Sequence, residues 1–493
     1  MSDLVKQAGL ISAADFLRLF IKTIIGFVLA RILTQSEYGT YRQLFMIYTL
    51  LSAFFMIGLP QSIYYFIPKS DDETKKRFIK QTIDIFTILG LLCSILLLVF
   101  RNSVSQMFQN PQLNKVLLIY AFYPFFMFLS QLYYCVMIGL QKPNKAAQFT
   151  IIAVTCDIVL ILGTALISKD LYYIIIGMLI SVLIQWIYAR FGLAPMSAKN
   201  KLFDYDKSMI KAQFNYSLPI GVAAIVGVLS SQIDKLVISR YFTPDVFAIF
   251  SVGAAELPFI SIITNSVNAV ILPEMNKKSD TKAICELYSG AVRKNALILF
   301  PIFTFCLVFA PNIIEILYSA KYLDSVPFFR IYLISMPLRI ATYGLLFQVF
   351  NKTKYIFVIS LVTLLLNTIM SLIMIKLIGI KGPAISAIVV TYITVAVYLY
   401  LIINKLKIKL SNLFPTSALL RTALSSIICA IISLSALSLK VYIVWQFIIG
   451  AVIYALCYFL ISILLKAILP YDLVVLKSIL NSIINKFKRA LNV

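Results

Sequence analysis

The sequence predicts an all-α polytopic membrane protein of about 14 transmembrane helices, arranged as two parallel six-helix lobes plus two extra C-terminal helices. Three observations lead there. Apolar stretches recur from residue 10 to residue 466 with no gap wide enough for a soluble domain. The 493 residues are 61% hydrophobic and only 13% charged, where a soluble chain carries about 25% charge. Short segments of the first half return about 209 residues later.

The span count follows from bilayer thickness, because a hydrocarbon core about 30 Å deep needs roughly 20 apolar residues per helix. The expected spans are 10–33, 41–67, 79–100, 115–139, 146–167, 171–194, 214–240, 246–272, 289–311, 326–350, 354–377, 382–404, 417–438 and 441–466. This gives an N-terminal lobe over 1–200, a C-terminal lobe over 201–410, an additional helix pair over 411–466 and a tail over 467–493. In the tail, Leu476, Ile479, Leu480, Ile483 and Ile484 share one helical face and Lys477, Lys486, Lys488 and Arg489 lie elsewhere, the pattern of an amphipathic surface helix. A frayed basic tail fits those residues equally well.

Composition also excludes chemistry. There is no histidine, so His-based acid–base catalysis, Ser/His nucleophiles and the commonest zinc ligands are not available. The seven cysteines form no C-x-x-C pair and six lie in apolar stretches, where the thiol is a small hydrophobe. No metal, cofactor or disulfide is expected, and the chain reads as a non-enzyme. The net charge of +24 is explained by topology rather than by nucleic acid, since basic residues collect in cytoplasmic loops. Placing both termini and every second loop on one side gathers about 28 Lys/Arg there against about 10 opposite, so both termini are expected in the cytoplasm. The loop with Lys69, Lys75, Lys76, Arg77 and Lys80 is basic, whereas 101–114 and 168–170 carry little charge. The charged start is followed by no small-residue cleavage pattern, so the first helix is expected to stay.

The duplication is carried by two separated matches. Residues 29–41, LARILTQSEYGTY, align with 238–250, ISRYFTPDVFAIF, placing Arg31 over Arg240. Residues 139–146, GLQKPNKA, align with 349–355, VFNKTKY, placing Lys142 over Lys352 and then Asp157 over Asn367. Six helices per copy give both copies one orientation, the arrangement of transporters whose two lobes rock about a central site.

Charges within the spans are the site candidates, because an ionised group at mid-bilayer costs roughly 2.5–3.5 kcal/mol unless it meets a partner or water. Asp15, Arg18 and Lys22 stand at i, i+3 and i+7 of the first span, on one face. Two cations against one acid leave that face positive, which suits an anionic head group; a salt-bridged packing face is the alternative. Lys235 and Arg339 join Arg18 and Lys22 as candidate substrate-binding cations, with Arg339 following the helix-breaking Pro337. For Asp234 and Lys235, snorkelling towards the nearby span end is an equal reading. Asp157 and Glu256 are placed deep in their spans, and with Asp15 and Asp234 they are the candidates for coupling to H+ or Na+; a neutral buried acid is the other reading of Asp157. Pro60 is expected to kink the second span. The run Asp71, Asp72, Glu73 reads as a solvated turn rather than a metal site, and with no G-x-x-x-x-G-K-[ST] the chain carries no ATPase of its own.

The segments GFVLARILTQSEYGTYRQLFMIYTLLSAFFMIGLPQSIYYF (26–66) and YSLPIGVAAIVGVLSSQIDKLVISRYF (216–242) resemble the opening hairpin and the second-lobe start of bacterial O-antigen and capsule repeat-unit flippases. These are members of the multidrug, oligosaccharidyl-lipid and polysaccharide exporter superfamily. The resemblance covers nearly the whole chain. It implies transport of an undecaprenyl-diphosphate-linked oligosaccharide from the cytoplasmic to the outer leaflet of the inner membrane by alternating access. It also implies a monomeric carrier working beside a polysaccharide polymerase, with helices 13 and 14 sheltering the polyprenyl tail. Lipid II flippases of the same superfamily, with fourteen helices and a basic cavity, are the nearest alternative. A multidrug exporter fits the positive first span less well, since cationic drugs prefer acidic cavities. A membrane polymerase would need a larger outer loop than this chain has.

Overall fold

The structure, a computed structural model, describes residues 2–198, 206–255 and 257–472. Glu256 and the expected surface helix from residue 473 onwards lie outside the described residues. Every regular element among the described residues is helical, and twenty are α-helices. The chain forms two compact units, one of residues 1–252 with 360–387 and one of 253–359 with 388–493.

In the first unit, α1 (Ser2–Ile32) leads into α2 (Gln35–Met56), which begins with a capping box: the Thr34 hydroxyl accepts from the Glu37 amide at 3.3 Å and the Glu37 carboxylate accepts from the Thr34 amide at 2.9 Å. At Ile57 and Gly58 the backbone turns left-handed, with φ of 35° and 69°, and the chain bends by 49° into α3 (Leu59–Phe66). The expected kink is therefore present. Gly58 makes it, and Pro60 sits in the first turn of the new helix, where its missing N–H costs nothing.

Asp71 caps α4 (Asp72–Met107), and Asn110 caps α5 (Pro111–Tyr120), which bends by 47° into α6 (Tyr123–Gly139). Next, α7 (Pro143–Cys156) widens into a π-helical stretch over Asp157–Leu162 before α8 (Gly163–Ser168). Asp170 caps α9 (Leu171–Leu193), Asp206 caps α10 (Lys207–Tyr241), and α11 (Pro244–Gly253) follows. The second unit takes α12 (Pro258–Asn276), α13 (Thr281–Val308), α14 (Ala310–Tyr318), α15 (Val326–Leu333) and α16 (Tyr343–Val349). Two long helices, α17 (Lys354–Ile378) and α18 (Lys381–Leu406), contribute to both units, and α19 (Thr416–Ser433) with α20 (Ile443–Leu464) completes the second.

Nine of the described helices are long and apolar enough to cross a membrane, and eleven spans result when each bent pair counts as one. The remaining expected spans fall on α1, on α11 with α12, and on α15 with α16, where charges or breaks interrupt the apolar run. The repeat appears in the backbone itself. Left-handed residues occur at Gln109 and Ser319, Gln141 and Asn351, and Lys169 and Gly379, each pair 210 residues apart. The turns around them match: the Lys142 amide donates to the Met137 carbonyl at 2.8 Å and the Lys352 amide to the Phe347 carbonyl at 2.7 Å.

Within the first unit, α10 crosses the α2–α3 break at glycine. A Cβ on Gly221 would stand 2.4 Å from the Ile57 carbonyl carbon, and one on Gly58 would stand 2.6 Å from the Ser217 oxygen. Close approach lets a buried polar clasp form, in which the Gln213 amide donates to Ser62 at 3.1 Å and to Thr82 at 3.2 Å, and Gln81 donates to Gln213 at 3.1 Å. Further along α10, Gln43 donates to Ser239 at 2.8 Å, while Asn110 donates to Thr40 at 2.8 Å and to Gln43 at 2.6 Å. Buried amides and hydroxyls satisfied in this way fix the register of helices whose apolar faces alone would slide.

In the second unit the extra pair is tied to α13. The Tyr454 and Thr304 hydroxyls are 2.7 Å apart, the Tyr458 hydroxyl donates to the Leu297 carbonyl at 2.8 Å, and Arg293 pairs with Asp472 beyond the end of α20.

Candidate functional site

The α1 face predicted from spacing is polar in the structure and sits among tyrosines of the first unit. The opposite side of α1 is apolar and exposed: Phe16 and Phe20 are 53% and 52% accessible and stack at 6.1 Å. Lipid suits that side. Arg18 and Lys22 are half-buried, and α1 packs on α7 and on the π-helical stretch that begins at Asp157. The Lys22 ammonium lies within electrostatic reach of both Arg18 and Asp157, and Arg18 within reach of Tyr48, Tyr123 and Tyr134. Tyr123 stacks on Tyr120 at 5.0 Å and meets Tyr48 edge-on at 5.3 Å. The structure thus gathers Asp15, Arg18, Lys22 and Asp157.

How their charges are satisfied differs by sign. Both carboxylate oxygens of Asp15 accept from the Tyr134 hydroxyl at 2.8 Å. One oxygen of Asp157 accepts from the Ser181 hydroxyl at 2.6 Å and from the Gln185 amide at 3.3 Å. Each acid is therefore held by uncharged donors. Arg18 and Lys22 make no hydrogen bond or ion pair with any described residue. A half-buried cation without a protein partner is stable only where water or an anion can reach it.

The other candidates are placed differently. Asp234 is buried on α10, where one of its oxygens accepts from the Lys235 amide at 2.9 Å. Arg339 belongs to the second unit, half-buried in a 3-10 turn over Met336–Ile340 that Pro337 opens. Side-chain donors recover the carbonyls around that break: Asn295 bonds Ile340 at 3.0 Å, Tyr343 bonds Leu338 at 3.2 Å and Tyr392 bonds Ile334 at 3.0 Å. Glu256, as noted, lies outside the described residues.

The loop acids are occupied. Asp71 caps α4, Asp72 pairs with Lys75 at 3.1 Å and Glu73 pairs with Arg77 at 2.5 Å. Hydrogen bonds from Thr74 hold the Asp71 carboxyl below the usual carboxylate range. Among the described residues no three His, Cys, Asp or Glu side chains come together as a metal site would require.

Sequence reasoning missed Tyr134, Ser181 and Gln185. Ser181 and Gln185 had a signal, two polar residues one helical turn apart in an apolar run, whereas Tyr134 is one aromatic among many. It also missed Asp84, a buried acid of α4 that pairs with Lys80 at 2.5 Å, one turn away.

The sequence model of a family described as polysaccharide biosynthesis protein matches residues 28–327. The chain belongs to this family. The match includes residues 28–66 of the first segment on which the resemblance rested and all of the second, together with α1 from Val28 onwards and all of α2 to α14. Among solved structures, the fold is similar to lipid II flippase MurJ in an inward closed conformation, with a TM-score of 0.75 and 18% identity over 93% of this chain and 99% of that one. It is also similar to a multidrug resistance MATE family transporter of the MOP superfamily in an inward-facing conformation, with a TM-score of 0.57 and 13% identity over 79% and 95%. An uncharacterized membrane protein of Methanocaldococcus jannaschii is 21% identical over 367 residues, 69% of this chain and 70% of that protein. The fold expected for this polysaccharide biosynthesis family member, all-α and polytopic, is the fold found.

Proposed function

We propose that the chain carries an undecaprenyl-diphosphate-linked oligosaccharide, the repeat unit of a surface polysaccharide, from the cytoplasmic to the outer leaflet of the bacterial inner membrane by alternating access. The observation that carries this reading is the sign asymmetry where α1 meets the π-helical stretch: Asp15 and Asp157 are satisfied by tyrosine, serine and glutamine, while Arg18 and Lys22 make no hydrogen bond or ion pair with any described residue. Two open cations are matched by a diphosphate, whose oxygens accept charge-assisted hydrogen bonds. Lys235 and Arg339 are further cations for phosphate or acidic sugars. Asp157 is the proposed site of the coupling ion, H+ or Na+, with Asp234 and Glu256 as the other acids available. Both termini are proposed to be cytoplasmic, from the distribution of basic loops.

A second reading, transport of the peptidoglycan precursor lipid II, draws on the similarity to a lipid II flippase and uses the same prenyl-diphosphate chemistry. Deletion of the gene followed by mass analysis of undecaprenyl-diphosphate intermediates separates the two. Build-up of a lipid-linked repeat unit supports the first, build-up of lipid II the second, and build-up of neither rejects both.

A further inference from the structure

The acid that most directly threatens an open cation on α1 is Asp15. On a helix, Asp at i and Arg at i+3 are surface neighbours and ordinarily pair, and such a pair would neutralise the guanidinium before any ligand arrived. Asp15 and Arg18 form no ion pair. Instead the Tyr134 hydroxyl stands 2.8 Å from both Asp15 oxygens and shares its one proton between them.

Tyr134 comes from α6, a well-anchored helix: its neighbours Tyr133 and Cys135 are 2% and 3% accessible, within a buried apolar cluster of the first unit. Nearby, the Tyr64 hydroxyl is committed to the Cys135 sulfur at 3.2 Å and so leaves Asp15 to Tyr134. The groups electrostatically close to this cluster are Arg18 on α1, Tyr64 on α3 and Cys135 on α6.

We propose that Tyr134 is a positioning residue for anion recognition, holding the Asp15 carboxylate away from Arg18 so that the guanidinium stays open for a phosphate. The inference rests on the reading of Arg18 and Lys22 as an anion site. It assigns Asp15 the role of a competitor restrained by a neutral donor. Ser181 and Gln185 restrain Asp157 beside Lys22 in the same manner.

The test is calorimetric titration of the purified full chain with farnesyl diphosphate. Tyr134→Phe keeps the ring and loses only the hydroxyl, freeing Asp15 to turn to Arg18; binding is expected to weaken about fivefold or more. The double variant Tyr134→Phe/Asp15→Asn, with no acid left to compete, is expected to bind as tightly as wild type. A Tyr134→Phe protein that binds like wild type, or a loss that persists in the double variant, would overturn the proposal while leaving the anion site intact. Asp15→Asn alone provides a second arm: it is expected to bind no more weakly than wild type, and a marked fall would equally overturn the proposal. Failure of wild type to bind, or undiminished binding by Arg18→Ala/Lys22→Ala, would instead reject the anion site, and this inference with it.

Discussion

Asp157 and Asn367 occupy the same place in two copies of one structural unit. Each lies 16 residues after a left-handed turn residue, Gln141 in one copy and Asn351 in the other. Each also accepts a hydrogen bond from a serine of the following span, Ser181 at 2.6 Å and Ser386 at 3.1 Å. One copy holds a carboxylate and the other its neutral isostere. The duplication has kept the geometry and confined the charge to one half.

If Asp157 carries the coupling ion, Asp157→Asn makes this position alike and uncharged in the two copies. Surface polysaccharide in a complemented deletion strain is expected to fall about tenfold or more at unchanged protein level, since one half-buried ionisable group would carry the whole response. Residual transport should no longer respond to collapse of the proton and sodium gradients. Gradient sensitivity that survives the substitution would remove Asp157 from that role.

Orientation can be checked by cysteine labelling from outside the cell. Gln106 and Asp170 variants are expected to react and Lys76 and Lys278 variants to stay protected; the opposite pattern would invert the topology. Asn110, though placed in an outer loop by sequence, is a poor reporter because it is buried against Thr40 and Gln43.

Gly221 tests the crossing of α10 over the α2–α3 break. A methyl there meets backbone at 2.4 Å and neither chain can yield cheaply, so Gly221→Ala is expected to cost roughly 1–3 kcal/mol. Gly227 has open space around it, and Gly227→Ala on the same helix is the control, expected to leave the melting temperature unchanged or higher. Equal melting curves for the two variants would contradict the packing described.

The sequence showed what depends on local chemistry. Apolar length revealed the spans, and two short matches revealed a repeat whose left-handed turns recur 210 residues apart. Spacing alone put Asp15, Arg18 and Lys22 on one face. What it could not show depends on distant residues meeting: Tyr134 reaches Asp15 across 119 positions and Ser181 reaches Asp157 across 24, and Tyr134 does not stand out by type in a chain with 28 tyrosines. The bends at Ile57–Gly58 and at Ala121–Phe122 divide spans that hydropathy reads as continuous, because apolarity is indifferent to backbone direction.

The central claim, that Arg18 and Lys22 receive a diphosphate during transfer between leaflets, is tested most directly in proteoliposomes. Purified protein is reconstituted with an undecaprenyl-diphosphate oligosaccharide, and exposure of the sugar to an external lectin is followed with time. Wild-type protein is expected to raise the rate above protein-free vesicles, and Arg18→Ala/Lys22→Ala to lose at least about tenfold of that gain, as expected when charge-assisted contacts to phosphate are removed. Transfer by the double variant at the wild-type rate would contradict the account.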